Sequence, residues 1–141
     1  TDEQIKRATA MAQASDFIEA FDDGYEHMLS SKGTNVSGGQ KQRLLISRAL
    51  AGDPEILILD DSSSALDYKT DANLRAAITE GMKNTTSILV AQRISSIKHA
   101  DLILVLDEGA IIGMGTHEEL LNTCDVYREI SESQMGGAFV E

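Results

Sequence analysis

The sequence predicts an α/β fold that is built on a mainly parallel sheet. Apolar runs of strand length at residues 56–59, 87–91 and 101–106 alternate with segments of helical periodicity. This alternation is typical of βαβ units, whose strands pair in parallel. The 141 residues are 42% hydrophobic and 25% charged, which is ordinary for a soluble globular domain with a real core.

The first predicted element is a helix from residue 1 to about residue 21. Thr1 or Asp2 can cap it, and Ile5, Ala8 and Met11 recur at helical spacing. The Asp22-Asp23-Gly24 cluster then breaks the pattern. Residues 26–34 are expected to form a loop.

A small, glycine-containing turn precedes the second predicted helix. Ser37, Gly38 and Gly39 lead into an apolar-periodic segment that ends at Leu50. Glycines let a ligand approach the backbone, and a helix N-terminus attracts anions. Ser37 and Gln40 could add hydrogen bonds to a phosphate. A serine N-cap followed by a permissive glycine pair explains the same residues, so this segment alone leaves both interpretations open.

A carboxylate pair follows the first predicted strand. Residues 56–59 form a continuous apolar run, which predicts a strand buried on both faces. Asp60 and Asp61 stand at its carboxyl end, where α/β sheets bind ligands and P-loop nucleotidases hold Mg²⁺. The alternatives are a solvated strand end or a helix N-cap.

The remaining elements continue the alternation. We expect a helix over 67–82, a strand over 87–91, a short helix over 94–98 and a hairpin that turns at residues 107–109. His117 is expected to be an exposed residue at a helix start. A final amphipathic helix is predicted over 122–135, ended by Gly136-Gly137, with mobile residues beyond it.

Three segments resemble motifs of one family, the nucleotide-binding domains of ABC transporters. Residues 36–40 resemble the ABC signature, residues 56–60 the Walker B strand, and Ser64-Ala65-Leu66-Asp67 the D-loop. Their order and spacing are similar to those of multidrug, lipid or peptide exporters. The resemblance implies the C-terminal portion of a P-loop NTPase (ABC ATPase) fold with part of the helical subdomain. It divides the chain into a helical signature part (1–50), a portion of the RecA-like core with a terminal hairpin and helix (51–135) and a mobile tail (136–141).

The resemblance also implies ligands and partners. Two ABC nucleotide-binding domains pair head-to-tail, so Ser37, Gly38, Gly39 and Gln40 would contact ATP that is held by the partner domain. Asp60 would bind Mg²⁺, and Asp61 and Gln92 would serve catalysis in the chain's own site. The sequence has no Gly-x-x-x-x-Gly-Lys-Ser/Thr motif and begins with Thr. We therefore expect a piece of a longer protein, inactive without a Walker A segment that precedes residue 1.

Two residues depart from the hydrolytic pattern of the family. Asp61 stands where Glu is usual, which shortens the side chain by about 1.5 Å, one carbon–carbon bond. A misplacement of this order can reduce a rate roughly 100-fold. Gln92 replaces the usual His and cannot carry a proton near neutral pH. Together they predict a degenerate site that hydrolyses ATP slowly. Ser30-Ser31 also replaces a usual Gly-Glu pair that contacts the transmembrane domain. Contact of this loop with a transmembrane domain is still expected, but without that carboxylate.

Composition narrows the remaining alternatives. The net charge of −11 argues against nucleic-acid binding, and the single cysteine, Cys124, fits a reducing compartment. No apolar run reaches the roughly 20 residues of a membrane span, so a transmembrane domain would lie outside this chain. The predicted location is the cytoplasmic face of a membrane.

A regulatory dimerisation module without hydrolysis stays open as an alternative function. The negative net charge and the hexad 115–120 disfavour an ATPase of DNA repair or chromosome maintenance. A chance α/β domain is least favoured.

Overall fold

The computed structural model describes residues 1–136 and divides the chain into two compact units, residues 1–90 and residues 91–141. The predicted alternation of helices and strands is confirmed. The tail that was predicted to be mobile, residues 136–141, lies outside the described residues except for Gly136. No helix among residues 1–136 is both long and apolar enough to cross a membrane.

The first unit begins with two helices where the sequence predicted one. Helix α1 (Asp2–Met11) has the predicted Thr1 N-cap, whose hydroxyl accepts a hydrogen bond from the Gln4 amide. Gln13 then adopts a φ of 58°, which ends the helix, and α2 (Ser15–Glu19) follows. The prediction of a single helix over residues 1–21 was therefore wrong. The break was missed because the left-handed residue at position 13 is a glutamine and not a glycine. Short 3₁₀ turns follow at Gly24–Glu26 and Ser31–Gly33.

The rest of the first unit is a βαβ unit. Helix α3 (Gly38–Leu50) leads to strand β1 (Ile56–Asp60), helix α4 (Tyr68–Gly81) and strand β2 (Thr86–Val90). The two strands pair in parallel, with Ile56 opposite Thr86 and Asp60 opposite Val90. The parallel pairing was predicted and is confirmed.

Burial of β1 on both faces was wrong for the described residues. Leu57 and Leu59 lie in the core, whereas Ile56 and Ile58 are 61% and 64% exposed. The described residues cover only one face of the pair, so alternate side chains remain in solvent. The core behind the covered face joins α1, α3 and α4; its buried members are Ala8, Ala12, Ala14, Ile18, Ile46, Leu50, Leu57, Leu59, Leu66, Leu74 and Ile78.

The second unit contains a short helix, a hairpin and two C-terminal helices. Helix α5 (Ile94–Ile97) precedes strands β3 (Ile103–Asp107) and β4 (Ala110–Gly115), which pair antiparallel. Glu108 and Gly109 both have positive φ in the predicted turn between them, as a two-residue type I′ turn requires.

The predicted final helix is interrupted. Helix α6 (His117–Thr123) and helix α7 (Asp125–Gly136) meet at Cys124, whose extended backbone separates them. Cys124 is buried with Ile103, Val105, Leu120 and Tyr127 in the core of this unit, so a buried side chain overrides the helical periodicity. His117 does start α6, but it is half-buried, and its Nδ1 lies 2.8 Å from the Tyr127 hydroxyl.

Candidate functional site

The segment that resembles the ABC signature forms the N-terminus of a 13-residue helix. Ser37 is the N-cap of α3; its hydroxyl accepts a hydrogen bond from the Gln40 amide at 3.2 Å. The Gln40 side-chain carbonyl accepts from the Ser37 amide at 2.9 Å, which completes a capping box. The capping interpretation is therefore confirmed. The capping box uses one lone pair of the Ser37 hydroxyl and leaves the Gln40 side-chain NH₂ uninvolved.

The two glycines of this segment differ in their surroundings. A β-carbon on Gly38 would meet nothing within 4 Å, whereas one on Gly39 would lie 3.0 Å from the Ala65 carbonyl oxygen. Both amides belong to the first helical turn, where no carbonyl of the helix can accept from them. The side of Gly38 on which a side chain would stand is thus open, and Gly39 packs against the segment that resembles the D-loop. The structure therefore brings these two predicted motifs together.

An arginine that the sequence analysis missed holds this helix start in place. Arg43 donates to the Gly39 carbonyl at 3.3 Å and to the Gln13 carbonyl at 2.6 Å. Its guanidinium carbon also lies 4.7 Å from the centre of the Phe17 ring. Arg43 stands four residues after Gly39, so the contact with Gly39 could be inferred from helical spacing. The contact with Gln13 could not, because it depends on the left-handed turn between α1 and α2.

The two consecutive carboxylates lie at the carboxyl end of β1. Asp60 is the last residue of the strand and is exposed. Asp61 is also exposed and adopts a φ of 46°, a left-handed conformation that Asp tolerates better than most residues. Its amide donates to the Val90 carbonyl at 2.9 Å, and its carbonyl accepts from the Ser64 hydroxyl at 3.0 Å. The main chain at Asp61 is therefore fixed between β2 and the next turn.

The segment Ser64–Asp67 connects this turn to α4. Leu66 is buried in the core, and Asp67 is the N-cap of α4. The Asp67 carboxylate accepts from the Thr70 amide at 2.9 Å and from the Thr70 hydroxyl at 2.7 Å. These bonds, led by the one from the Thr70 amide, hold the pKa of Asp67 below its ordinary value of 3.8. Asp67 is therefore a charged cap near neutral pH.

Gln92 belongs to the second unit, two residues beyond the end of β2 along the chain. Its main-chain carbonyl accepts a hydrogen bond from the side chain of Gln134, on α7, at 2.7 Å. Gln134 was not singled out from the sequence. No local signal relates residues 42 positions apart.

The chemistry of the described residues fits Mg²⁺ as a partly hydrated ion. Mg²⁺ prefers oxygen ligands and usually takes one or two carboxylates together with water and phosphate oxygens. Asp60 and Asp61 offer exposed carboxylates at one strand end. No group of three or more potential metal-ligating residues occurs among residues 1–136. This donor set suits an ion that is shared with a nucleotide better than one that is fully enclosed by protein.

Comparisons with known proteins place this arrangement in a family. A family model described as ABC transporter matches residues 2–64, which include the signature segment and both carboxylates. An ABC transporter ATP-binding protein of Mycoplasma genitalium is 47% identical over 97% of this chain. The chain belongs to the ABC transporter ATP-binding family.

Further relatives and a solved structure agree with this assignment. The ABC ATP-binding protein YknU of Bacillus subtilis is 48% identical over 94% of the chain, and the ATP-dependent lipid A-core flippase of Escherichia coli is 44% identical over 95%. The structure of a bacterial Atm1-family ABC exporter with ATP bound matches 95% of the chain with a TM-score of 0.88 and 34% identity. The ABC ATPase fold that the sequence predicted is thereby confirmed.

The chain spans less than a quarter of the length of the proteins it matches. It covers 22% of the Mycoplasma relative, 23% of the Bacillus and Escherichia relatives, and 23% of the exporter chain.

Proposed function

We propose that this chain is the ATP-binding and ATP-hydrolysing module of a transmembrane exporter. It works at the cytoplasmic face of a membrane with a transmembrane domain and a second ABC nucleotide-binding domain in a head-to-tail dimer. The observation that carries the proposal is the start of α3, where Gly38 lies in the first helical turn beside Ser37 and Gln40 and a β-carbon on it would meet nothing within 4 Å. The lipid A-core flippase and the Atm1-family exporter among its matches favour export over other ABC functions.

The signature segment would act on ATP that is bound by the partner domain. The amides of Gly38 and Gly39 and the positive end of the α3 dipole suit a phosphate anion. The Ser37 hydroxyl hydrogen and the Gln40 side-chain NH₂ are not used as donors in the capping box and can serve the same ligand. The contact between Gly39 and Ala65 makes the D-loop segment a support for this surface.

The chain's own site would be completed by a Walker A segment that this sequence lacks. Asp60 would bind Mg²⁺ together with the nucleotide, and the ion would offset charge on the phosphates. Asp61 would orient the attacking water, and Gln92 would donate from its side-chain NH₂ to a γ-phosphate oxygen. We infer that this site is slow, because Asp61 is shorter than Glu and Gln92 cannot exchange a proton. The 141 residues alone would not hydrolyse ATP.

The presence of Asp61 instead of Glu and of Gln92 instead of His also favours a second function. If Asp61 and Gln92 support no hydrolysis, nucleotide binding would drive only closure of the dimer, and the chain would be a regulatory module. The two proposals differ in what the partner's site needs. An active module contributes Ser37 to hydrolysis in the partner's site, whereas a regulatory one affects only closure.

The test is the ATPase rate of the complete transporter with its partner domain present. We expect the double variant Asp61→Glu, Gln92→His to raise turnover at least tenfold, because it restores the longer carboxylate and the titratable ring. An unchanged rate means either that Asp61 suffices or that the partner's site sets the rate. Ser37→Arg then separates these cases, since a large loss of turnover supports the role in trans and an unchanged rate excludes it. Thr79→Arg, at an exposed position of α4, controls for added charge.

A further inference from the structure

The C-terminal helix of the second unit binds the main chain on both sides of Arg93. The Gln134 side chain on α7 donates from Nε2 to the Gln92 carbonyl at 2.7 Å. Its Oε1 accepts from the Ile94 amide at 2.8 Å. Arg93 is extended, with φ −99° and ψ 123°, so the carbonyl before it and the amide after it point the same way. One primary amide therefore satisfies a donor and an acceptor of the backbone together.

This pair of bonds replaces a missing helix cap. Arg93 is the N-cap of α5 and makes no side-chain capping bond. The first amides of a helix have no carbonyl within the helix, and Ile94 is the first residue of α5. Gln134 supplies that acceptor from 40 residues away. The start of α5, and with it the end of the segment that contains Gln92, is therefore fixed by α7 and not by its own sequence.

The packing of α7 brings Gln134 to this position. Tyr127 and Ser131, each 2% exposed, lie seven and three residues before Gln134, so the three residues share one face of the helix. Ile94 and Ile97 of α5 pack against the core cluster that contains Tyr127. Gln134 continues the buried face at its solvent edge, next to the main chain it binds. The bonds thus join two elements that already share a core.

We propose that Gln134 is a positioning residue that sets where the side chain of Gln92 can reach. This inference rests on the proposed function, in which Gln92 donates to the γ-phosphate oxygen. A displacement of about 1 Å at a group that positions a reacting phosphate can change a rate by roughly 100-fold. The helix α7 would therefore control how well this site distinguishes ATP from ADP, although none of its side chains is assigned to the nucleotide.

The first test is amide hydrogen exchange in the complete transporter. Gln134→Ala removes both bonds, and we expect the Ile94 amide to exchange about fivefold to tenfold faster. Gln134→Glu keeps an acceptor for the Ile94 amide but places a carboxylate against the Gln92 carbonyl. It also guards against a folding defect that is specific to alanine. Glu132→Ala, at an exposed position of the same helix, should leave exchange at Ile94 unchanged. Unchanged exchange of the Ile94 amide in Gln134→Ala would overturn the inference.

The second test measures the ratio of ADP to ATP dissociation constants in the same protein. We expect Gln92→Ala and Gln134→Ala each to lower the preference for ATP, by about tenfold or more. Combined, they should do no more than Gln92→Ala alone, because Gln134 acts through Gln92. A purely structural role would lower the unfolding temperature and leave the ratio unchanged.

The outcomes separate this inference from the proposed function. If Gln92→Ala lowers the preference for ATP and neither Gln134 variant does, only the positioning role fails. If the two effects add, Gln134 acts by another route, and the inference is again overturned. If Gln92→Ala itself has no effect, the proposed role of Gln92 fails and the purpose of the positioning fails with it.

Discussion

Gly39, at the start of α3, lies so close to Ala65 that a β-carbon on the glycine would be 3.0 Å from the alanine carbonyl oxygen. A β-carbon on the neighbouring Gly38 would have no atom within 4 Å. Two adjacent glycines thus have different reasons to lack a side chain. Gly38 leaves a surface open, and Gly39 allows two segments to pack.

Gly39→Ala is expected to destabilise the protein by about 1 to 2 kcal/mol relative to Gly38→Ala. Both changes favour the helix by up to about 1 kcal/mol, but only the alanine at 39 forces the backbone at Ala65 to move. Urea unfolding of the two variants measures the difference. Equal stabilities would mean that the segment at Ala65 yields without cost.

Arg43→Lys is expected to cost about 1 to 2 kcal/mol of unfolding free energy. Lysine keeps the charge but cannot donate to the Gln13 and Gly39 carbonyls from one planar group, and it loses stacking on Phe17. Arg48→Lys, at an exposed position of the same helix, is the matched control and should be nearly neutral. If Arg43→Lys unfolds like that control, the link between α3 and the turn at Gln13 adds no stability.

Asn35→Ala is expected to loosen the loop that precedes the signature segment. The Asn35 side chain accepts from the amide and hydroxyl of Ser30 at 3.0 and 2.9 Å and donates to the Met28 carbonyl at 3.1 Å. Losing these bonds should speed tryptic cleavage after Lys32 about tenfold, because cleavage requires local opening. Asn73→Ala, on the exposed side of α4, is the control. An unchanged cleavage rate would contradict the assigned role.

Asp67 is expected to make stability depend on acid pH. Its pKa in the folded protein is lowered by the bonds from Thr70, so its contribution is complete above the ordinary value of 3.8. The contribution is lost as pH falls from there through the lower folded pKa. Asp67→Asn keeps a capping oxygen but cannot titrate, so its thermal unfolding temperature should fall less steeply below about pH 4. Equal slopes for the two proteins would contradict this.

The sequence predicted best those elements whose signals are local. Helix α4 begins within one residue of its predicted start at Asp67, and the turn at Glu108-Gly109 has the predicted form, because each depends on residues within one turn. The break at Gln13 and the break at Cys124 were missed. The first depends on a left-handed residue that has no glycine, and the second on a side chain that the core of the second unit buries.

The candidate site shows the same division. The motif residues were predicted from their resemblance to one family, and the capping box of Ser37 and Gln40 was one of two interpretations that the sequence left open. The positive φ of Asp61 and the contacts of Arg43 and Gln134 could not be predicted. Each depends on a partner that is brought close only by tertiary packing.

The exposed isoleucines of β1 affect how this 141-residue chain behaves when it is produced by itself. Ile56 and Ile58 form an apolar, β-branched surface on a pair of strands to which residues 1–136 add no third strand. Such edges are templates for pairing with other molecules, which leads to aggregation. The net charge of −11 opposes this by mutual repulsion at neutral pH. Added salt or acid weakens that repulsion, so purification of the isolated chain should favour low ionic strength and neutral to basic buffers.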